Sequence, residues 1–433
     1  MIAAAATHFR KGCRPMASAP VVTTTDASPS RAAASPRAGV FAHNPSLDGL
    51  RAIAVLLVVI EHASVMLLAR NSWLVFGRVG VGIFFVLSGY LITSLLLGER
   101  EHRGRISLRD FYIRRALRIW PLYYAVLLLQ LIVLLHVDSL PWGEMWVSTD
   151  SSKYSAFGHV WWSYLIFAQN YFSDVRHYVT LGLGVYWSLA IEEQYYLVWP
   201  LILIALTSSR VRWRWAVPAF LLGAIALSFI LRALTIEGHL RATGGGVEWM
   251  THTNIFGLAV GSLLAWSRWD RIRHGGPARG GGGFGATLAW VTVAALVLSR
   301  TFPAVLAGWE IKLPYFDYYD PLLLSVATAA IIDYVAAGGA IWSPLRWWPM
   351  VHIGRVSYGM YLLHPLVLGV AVHVSSKENR SGWVALGVFL IATVGVATAS
   401  YELFEKRILR LKRRFSHVPS RGTEPPPPLL QRT

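Results

Sequence analysis

Long apolar runs separated by short polar connectors dominate this chain, and the length of the runs sets its class. Ten of them, each of about 17–25 residues, match the span of a bilayer-crossing helix. They lie near 47–68, 79–98, 116–136, 187–206, 215–234, 252–267, 285–306, 319–340, 356–374 and 383–404. In hydrocarbon every backbone N–H and C=O must find its partner within the protein, and a helix does this within one segment. The sixth run is short, and the eighth carries Asp333. The pattern therefore predicts an all-α fold, a polytopic integral membrane helical bundle of about ten transmembrane helices.

The two ends read differently. Residues 1–45 are rich in Ala, Ser, Thr and Pro and hold no continuous apolar core ahead of a cleavage site. They are expected to form a disordered cytosolic tail, with Met16 as an alternative start. Residues 406–433 are basic and Pro-rich, with four consecutive prolines at 425–428, and are expected to be a second, disordered cytosolic tail. The membrane domain is expected over 46–405.

Composition supports this reading. Hydrophobic residues make up 55% of the chain and charged ones 15%, against about 25% charged in soluble domains. The 19 Trp suit belts at two membrane interfaces. One cysteine, Cys13, excludes an internal disulfide framework, and without a Cys cluster or an H-x-x-x-H pair no metal site is expected.

The net charge of +17 raises the question of nucleic acid, and its distribution answers it. With the N-terminus in the cytosol, 30 of the 40 Lys and Arg fall on the inner side and 10 on the outer. That bias orients the bundle with both termini cytosolic. Anionic lipid headgroups account for the basic balance, so membrane lipids are expected partners and nucleic acid is not. The long outer loop near 137–186 includes WWSYLIFAQNYF (161–172), too short to span and expected to lie in the interface or re-enter.

Ionisable residues inside the apolar runs carry the chemistry, because a charge at the bilayer centre costs about 2.5–3.5 kcal/mol on insertion scales. RAIAVLLVVIEH (51–62) places Arg51 and His62 eleven residues apart, only ~20° off three full turns, so they share a face about 16.5 Å apart. Arg51 then sits at the cytosolic mouth and His62 at or beyond mid-membrane. FYIRRALRIWPLYY (111–124) clusters Arg114, Arg115 and Arg118, a grip for phosphate or a plain topology anchor. YWSLAIEEQYYLVWP (186–200) sets Glu192 and Glu193 near the outer mouth, at a depth overlapping that of His62. A carboxylate there is expected to orient the imidazole. VGVGIFFVLSGYLIT (79–93) brings Gly80, Gly82, Ser88 and Gly89 for close helix approach. His364 precedes Pro365, with structural and catalytic roles both open, and Asp333, Arg232 and Asn254 are isolated polar positions.

Five segments in order, SLDGLRAIAVLLVVIEH (46–62), GVGIFFVLSGYLITS (80–94), FYIRRALRIWPLYY (111–124), YWSLAIEEQYYLVWP (186–200) and SYGMYLLHPLVL (357–368), resemble the membrane acyltransferase-3 family. That family includes O-acetylases of surface polysaccharides and peptidoglycan, and macrolide acyltransferases. The resemblance implies an O-acyltransferase with no permanently bound cofactor. It implies acyl-CoA, chiefly acetyl-CoA, as donor and a glycan or glycosylated small molecule as acceptor, in a bacterial cytoplasmic membrane. His62 and Glu192 would be catalytic, and Arg51, Arg115 and Arg118 would bind the donor. Asp48, Ser88, Arg114, Trp187, Ser188, Glu193 and His364 would support them. Glu61, Gly82 and Asn254 depart from the family pattern. A multi-pass transporter, its intramembrane charges lining a substrate path, is the alternative from another class.

Overall fold

A computed structural model of the chain describes residues 44–68, 76–135, 159–172, 182–208, 211, 215–241, 246–276, part of 287–294, 316–337, 340–378 and 381–415. Nine long helices are used below: α1 (Pro45–Leu67), α2 (Gly77–Arg103), α3 (Leu108–Leu135), α4 (Tyr186–Leu206), α5 (Ala216–Ile236), α6 (Ile255–Arg273), α7 (Phe316–Ala336), α8 (Trp348–Glu378) and α9 (Gly382–Ser400). No strand occurs among the described residues.

Local chemistry explains the helix ends. The Asn44 side chain accepts from the Ser46 N–H at 3.0 Å, Pro45 opens the helix, and Asp48 lies in the first turn of α1. Gly104 ends α2 in the left-handed region at φ 70°, a conformation that costs glycine nothing, and its N–H closes on the Arg100 carbonyl at 2.8 Å.

Seven helices among the described residues are long and apolar enough to cross a membrane: α1 to α5, α8, and α9 with its continuation to Leu411. The expected spans near 252–267 and 319–340 appear as α6 and α7, but charges shorten the apolar stretch of each: Arg268, Asp270, Arg271 and Arg273 at the end of α6, and Asp317 and Asp320 at the start and Asp333 near the end of α7. The expected span at 285–306 falls mostly outside the described residues, as do both tails apart from a few residues at their inner ends. The protein is thus a multi-pass helical membrane protein.

The broadest packing joins α2 to α6 and α1 to α8. Gly89 and Gly261 make the first contact possible: a Cβ on either would strike a carbonyl of the opposing helix, that of Leu258 or Val86. Such close approach, not hydrophobicity, drives association between helices in lipid. A buried hydroxyl chain then ties three helices together. Thr93 donates to Ser262 at 2.8 Å, the Trp199 indole donates to Thr93 at 2.8 Å, and Tyr195 meets Ser262 at 2.6 Å.

Large apolar side chains also face outward. Leu128, Ile132, Leu197, Leu222 and Ile391 are all more than 45% exposed, and Ile391 reaches 77%. Lipid tails solvate such a face where water would not.

The aromatic stretch of the outer loop does not span. It forms a short helix over 159–165 and a turn at Gln169–Phe172. Tyr123 and Tyr124 of α3 donate to the carbonyls of Tyr164 and Leu165, both at 2.8 Å. Tyr164 is buried, while Trp161, Trp162, Ile166 and Phe172 are exposed, the pattern of an element lying in an interface.

Candidate active site

The arginines of α1 and α3 converge on one cavity. Arg51 lies in the second turn of α1, and Arg115 and Arg118 share a face one turn apart in α3. All three line a cavity of about 820 Å³, counting its open mouth. Ser88 of α2, Ser188, Glu192, Glu193 and Tyr196 of α4, and Ser357, Tyr358 and Tyr361 of α8 complete its polar wall.

Two of the three cations are braced. The Arg115 guanidinium sits between two rings, 5.5 Å from the Tyr196 centroid and 5.8 Å from that of Phe111. Tyr196 donates to one Glu192 carboxylate oxygen at 2.9 Å, and Ser88 donates to the other at 2.8 Å. Arg51 pairs with Asp48, one turn back, at 3.5 Å. Glu193 accepts from the Trp120 indole at 3.1 Å, and Ser188 meets the Tyr361 hydroxyl at 2.7 Å.

His62 has a different partner from the expected one. Its Nδ1 lies 2.8 Å from His364 Nε2, and the two rings meet edge to edge, their centroids 5.0 Å apart and their planes 19° from parallel. The Glu192 oxygens are occupied by Ser88 and Tyr196, so the expected orienting carboxylate is replaced by a second imidazole. The reason is packing: α1 runs against α8, not against α4.

The chain of bonds fixes the tautomers. His364 Nδ1 is 3.1 Å from the Met360 carbonyl, which only accepts, so that nitrogen carries the proton. In the neutral ring His364 Nε2 then accepts, and His62 Nδ1–H must donate. His62 Nε2 is left as the unprotonated nitrogen, the form a general base requires.

Neither imidazole lines the arginine cavity. Tyr361 joins the two features: it lines the cavity and meets the His364 ring edge-on at 5.9 Å, while Phe84, also in the wall, packs against Tyr361 at 6.3 Å.

The remaining sequence candidates separate. Arg114 turns away from the cavity, to Glu99 at 2.6 Å and the Phe415 carbonyl at 2.6 Å, so it holds α3 to α2 and to the end of the described chain. Trp187 meets Phe85 edge-on at 6.1 Å and faces a second cavity. The Asn254 amide donates to the carbonyls of Met250 and Val247, a local brace, and Asp333 pairs with Arg268 and Arg271. Sequence reasoning did not single out Tyr196, Tyr361 or Glu99. Helical spacing was the available signal: Tyr196 stands four residues after Glu192, and Tyr361 three before His364.

The model of a family described as an acyltransferase domain matches residues 44–402, and the chain belongs to that membrane acyltransferase-3 family. It is 30% identical over 387 residues to a Bacillus subtilis protein named "Putative peptidoglycan O-acetyltransferase YrhL", covering 84% of this chain and 54% of that protein. It is also 30% identical over 378 residues to the peptidoglycan O-acetyltransferase OatA of Listeria monocytogenes, covering 84% of this chain and 55% of the relative. The chain thus spans just over half the length of these relatives. No solved structure matches it.

Proposed function

We propose that this protein is a membrane O-acyltransferase that moves an acetyl group from acetyl-CoA to a hydroxyl of a cell-envelope glycan. The observation that carries the reading is the imidazole pair, because it leaves His62 Nε2 with a lone pair in the interior of a membrane bundle. Family membership supports the transferase class, and the names of the two relatives support acetyl as the group and peptidoglycan as the acceptor.

In this reading both termini face the cytosol and the helix bundle sits in a bacterial cytoplasmic membrane. Arg51, Arg115 and Arg118 hold the donor phosphates, guanidinium forks matching phosphate oxygens. The Tyr196 ring keeps Arg115 in place, and Glu192 keeps Tyr196 in place through its hydroxyl. Glu192 is then a positioning residue of the donor grip. The acyl arm reaches past Phe84 and Tyr361 towards the imidazoles.

The transfer needs no further reactant. His62 Nε2 takes the acceptor hydroxyl proton as the oxygen bonds to the thioester carbonyl carbon. The C–S bond breaks, and the leaving thiolate takes the proton back from the imidazolium. General-base assistance of this kind contributes roughly 10²–10⁴-fold.

Reconstituted protein supplied with labelled acetyl-CoA and peptidoglycan fragments tests the reading. Label should pass to the acceptor with stoichiometric free thiol, and His62→Ala should lower turnover by about the factor assigned to general-base assistance while remaining folded. Wild-type turnover in His62→Ala removes the imidazole from the mechanism. Substrate flux across the vesicle without thiol release replaces the transferase by a transporter.

A further inference from the structure

A second cavity, of about 730 Å³, opens from the other end of the bundle. Its lining comes from the helix ends opposite the arginine grip. Arg78 lies at the start of α2, Trp187 at the start of α4, Asn254 just before α6 and Asp320 in the early turns of α7. Arg232 lies near the end of α5, and Glu248 and Trp249 in the connection that follows. Val81 and Phe85 line both cavities, so the two stand back to back across one layer of side chains.

The chemistry of the two linings differs. The first cavity sets three guanidinium groups against two carboxylates. The second has two of each, Arg78 and Arg232 against Glu248 and Asp320, and is electrically balanced. A balanced lining offers no net attraction to a polyphosphate. Charged donors and acceptors in equal number around a cavity suit a neutral ligand rich in hydroxyl and amide groups.

Depth and aromatic surface point the same way. Arg78 and Glu248 form a partly exposed ion pair at the rim, while Arg232 and Asp320 are buried, 3% and 6% exposed. Trp187 and Trp249 are only partly covered and add flat apolar surface to the wall. The Trp187 ring and the Trp249 backbone are held in place. Trp187 abuts Phe85 edge-on at 6.1 Å, and the Trp249 carbonyl accepts from the Asn170 amide at 3.1 Å. Aromatic faces beside buried hydrogen-bonding groups present both the apolar and the polar surface that a pyranose ring requires.

We infer that this second cavity is the acceptor site and takes an uncharged segment of a saccharide chain. Trp249 and Trp187 stack on sugar rings, and Asp320 and Arg232 hydrogen-bond their hydroxyl and amide groups. The inference rests on the transferase reading for the word acceptor, whereas saccharide binding itself does not depend on turnover. Donor and acceptor then enter from opposite ends, and Phe85 and Val81 keep water from running between the two chambers.

Equilibrium dialysis of labelled chitotetraose, a neutral tetramer of N-acetylglucosamine, against the detergent-solubilised full chain tests the inference. Saturable binding is expected, without displacement by saturating CoA. Trp249→Leu should weaken it at least about tenfold, and Trp249→Tyr, which keeps a stacking face, should restore most of it. Asp320→Asn should weaken it by a similar factor with an unchanged far-ultraviolet helical signal. Absence of saturable binding, equal binding by Trp249→Leu, or displacement by CoA each overturns the inference. Saccharide binding without thiol release from acetyl-CoA leaves the site standing and removes the transferase reading.

Discussion

Replacing His364 with phenylalanine isolates what the second imidazole does. The ring volume stays close, but the acceptor for His62 Nδ1–H, now 2.8 Å away, disappears. His364 is completely buried, and α1 packs along α8 there, so water does not readily take its place. Leaving a buried neutral donor unpaired costs about 1–3 kcal/mol. His62 escapes that cost by moving its proton to Nε2 or by turning the ring, and either change removes the base. At 1.36 kcal/mol per decade, turnover should fall by about 5- to 150-fold. The donor KM should hold, since the arginine cavity is untouched. His364→Gln, whose amide oxygen accepts, should recover a large part of the loss. The assay is steady-state thiol release in reconstituted vesicles, with thermal unfolding followed on the same samples. Adding His364→Phe to His62→Ala should cost little further, because the two act as one unit. Wild-type turnover in His364→Phe, or a full additional loss in the double variant, refutes the pairing argument.

Two other predictions concern a buried ion pair and a histidine of the outer connection. Glu99 is 1% exposed and holds Arg114 at 2.6 Å while accepting from the Ser107 N–H at 2.9 Å. Glu99→Ala strands a largely buried guanidinium and should cost about 3–5 kcal/mol. It should appear as a lower unfolding midpoint in detergent, with Glu99→Leu combined with Arg114→Met recovering part of it. His252, beside Tyr171 at 3.0 Å in the outer connection, is held below the usual histidine value of 6.5 by burial. A lowered value means that the unfolded form binds the proton more readily, so this stabilisation is complete above 6.5 and is lost as pH falls below it. Protection factors over residues 159–172, corrected for the intrinsic pH dependence of exchange, should hold above pH 6.5 and fall as pH drops below it in the wild type. In His252→Gln that pH step should vanish, and a step of equal size there would place the sensitive group elsewhere.

Much of the site was legible because one helix carries its own ruler. Arg51 and His62 belong to α1, and helical rise with 100° per residue sets their separation and shared face without reference to any other element. Arg115 and Arg118 were readable as neighbours for the same reason. Glu192 was expected near the outer mouth beside His62, and it lies instead in the wall of the arginine cavity, held by Ser88 and Tyr196. Equal depth was read as contact, whereas depth says nothing about azimuth. Arg114, one residue from Arg115, faces roughly 100° away and serves a buried ion pair instead. Glu99, in the preceding helix, left no mark distinguishing it from an ordinary solvent-facing charge.

Sequence alone determined that this chain is a bundle of membrane helices, which end carries the guanidinium groups, and to which family it belongs. Those properties arise from apolar run length, charge placement and order of motifs, all of them local or one-dimensional. Only the tertiary structure decided that His62 meets His364, that Glu192 serves Tyr196 and Ser88, and that two cavities back onto Phe85. Such pairings depend on which helix faces which and by what rotation, set here by glycines that let carbonyls of neighbouring helices approach. That choice belongs to no single segment.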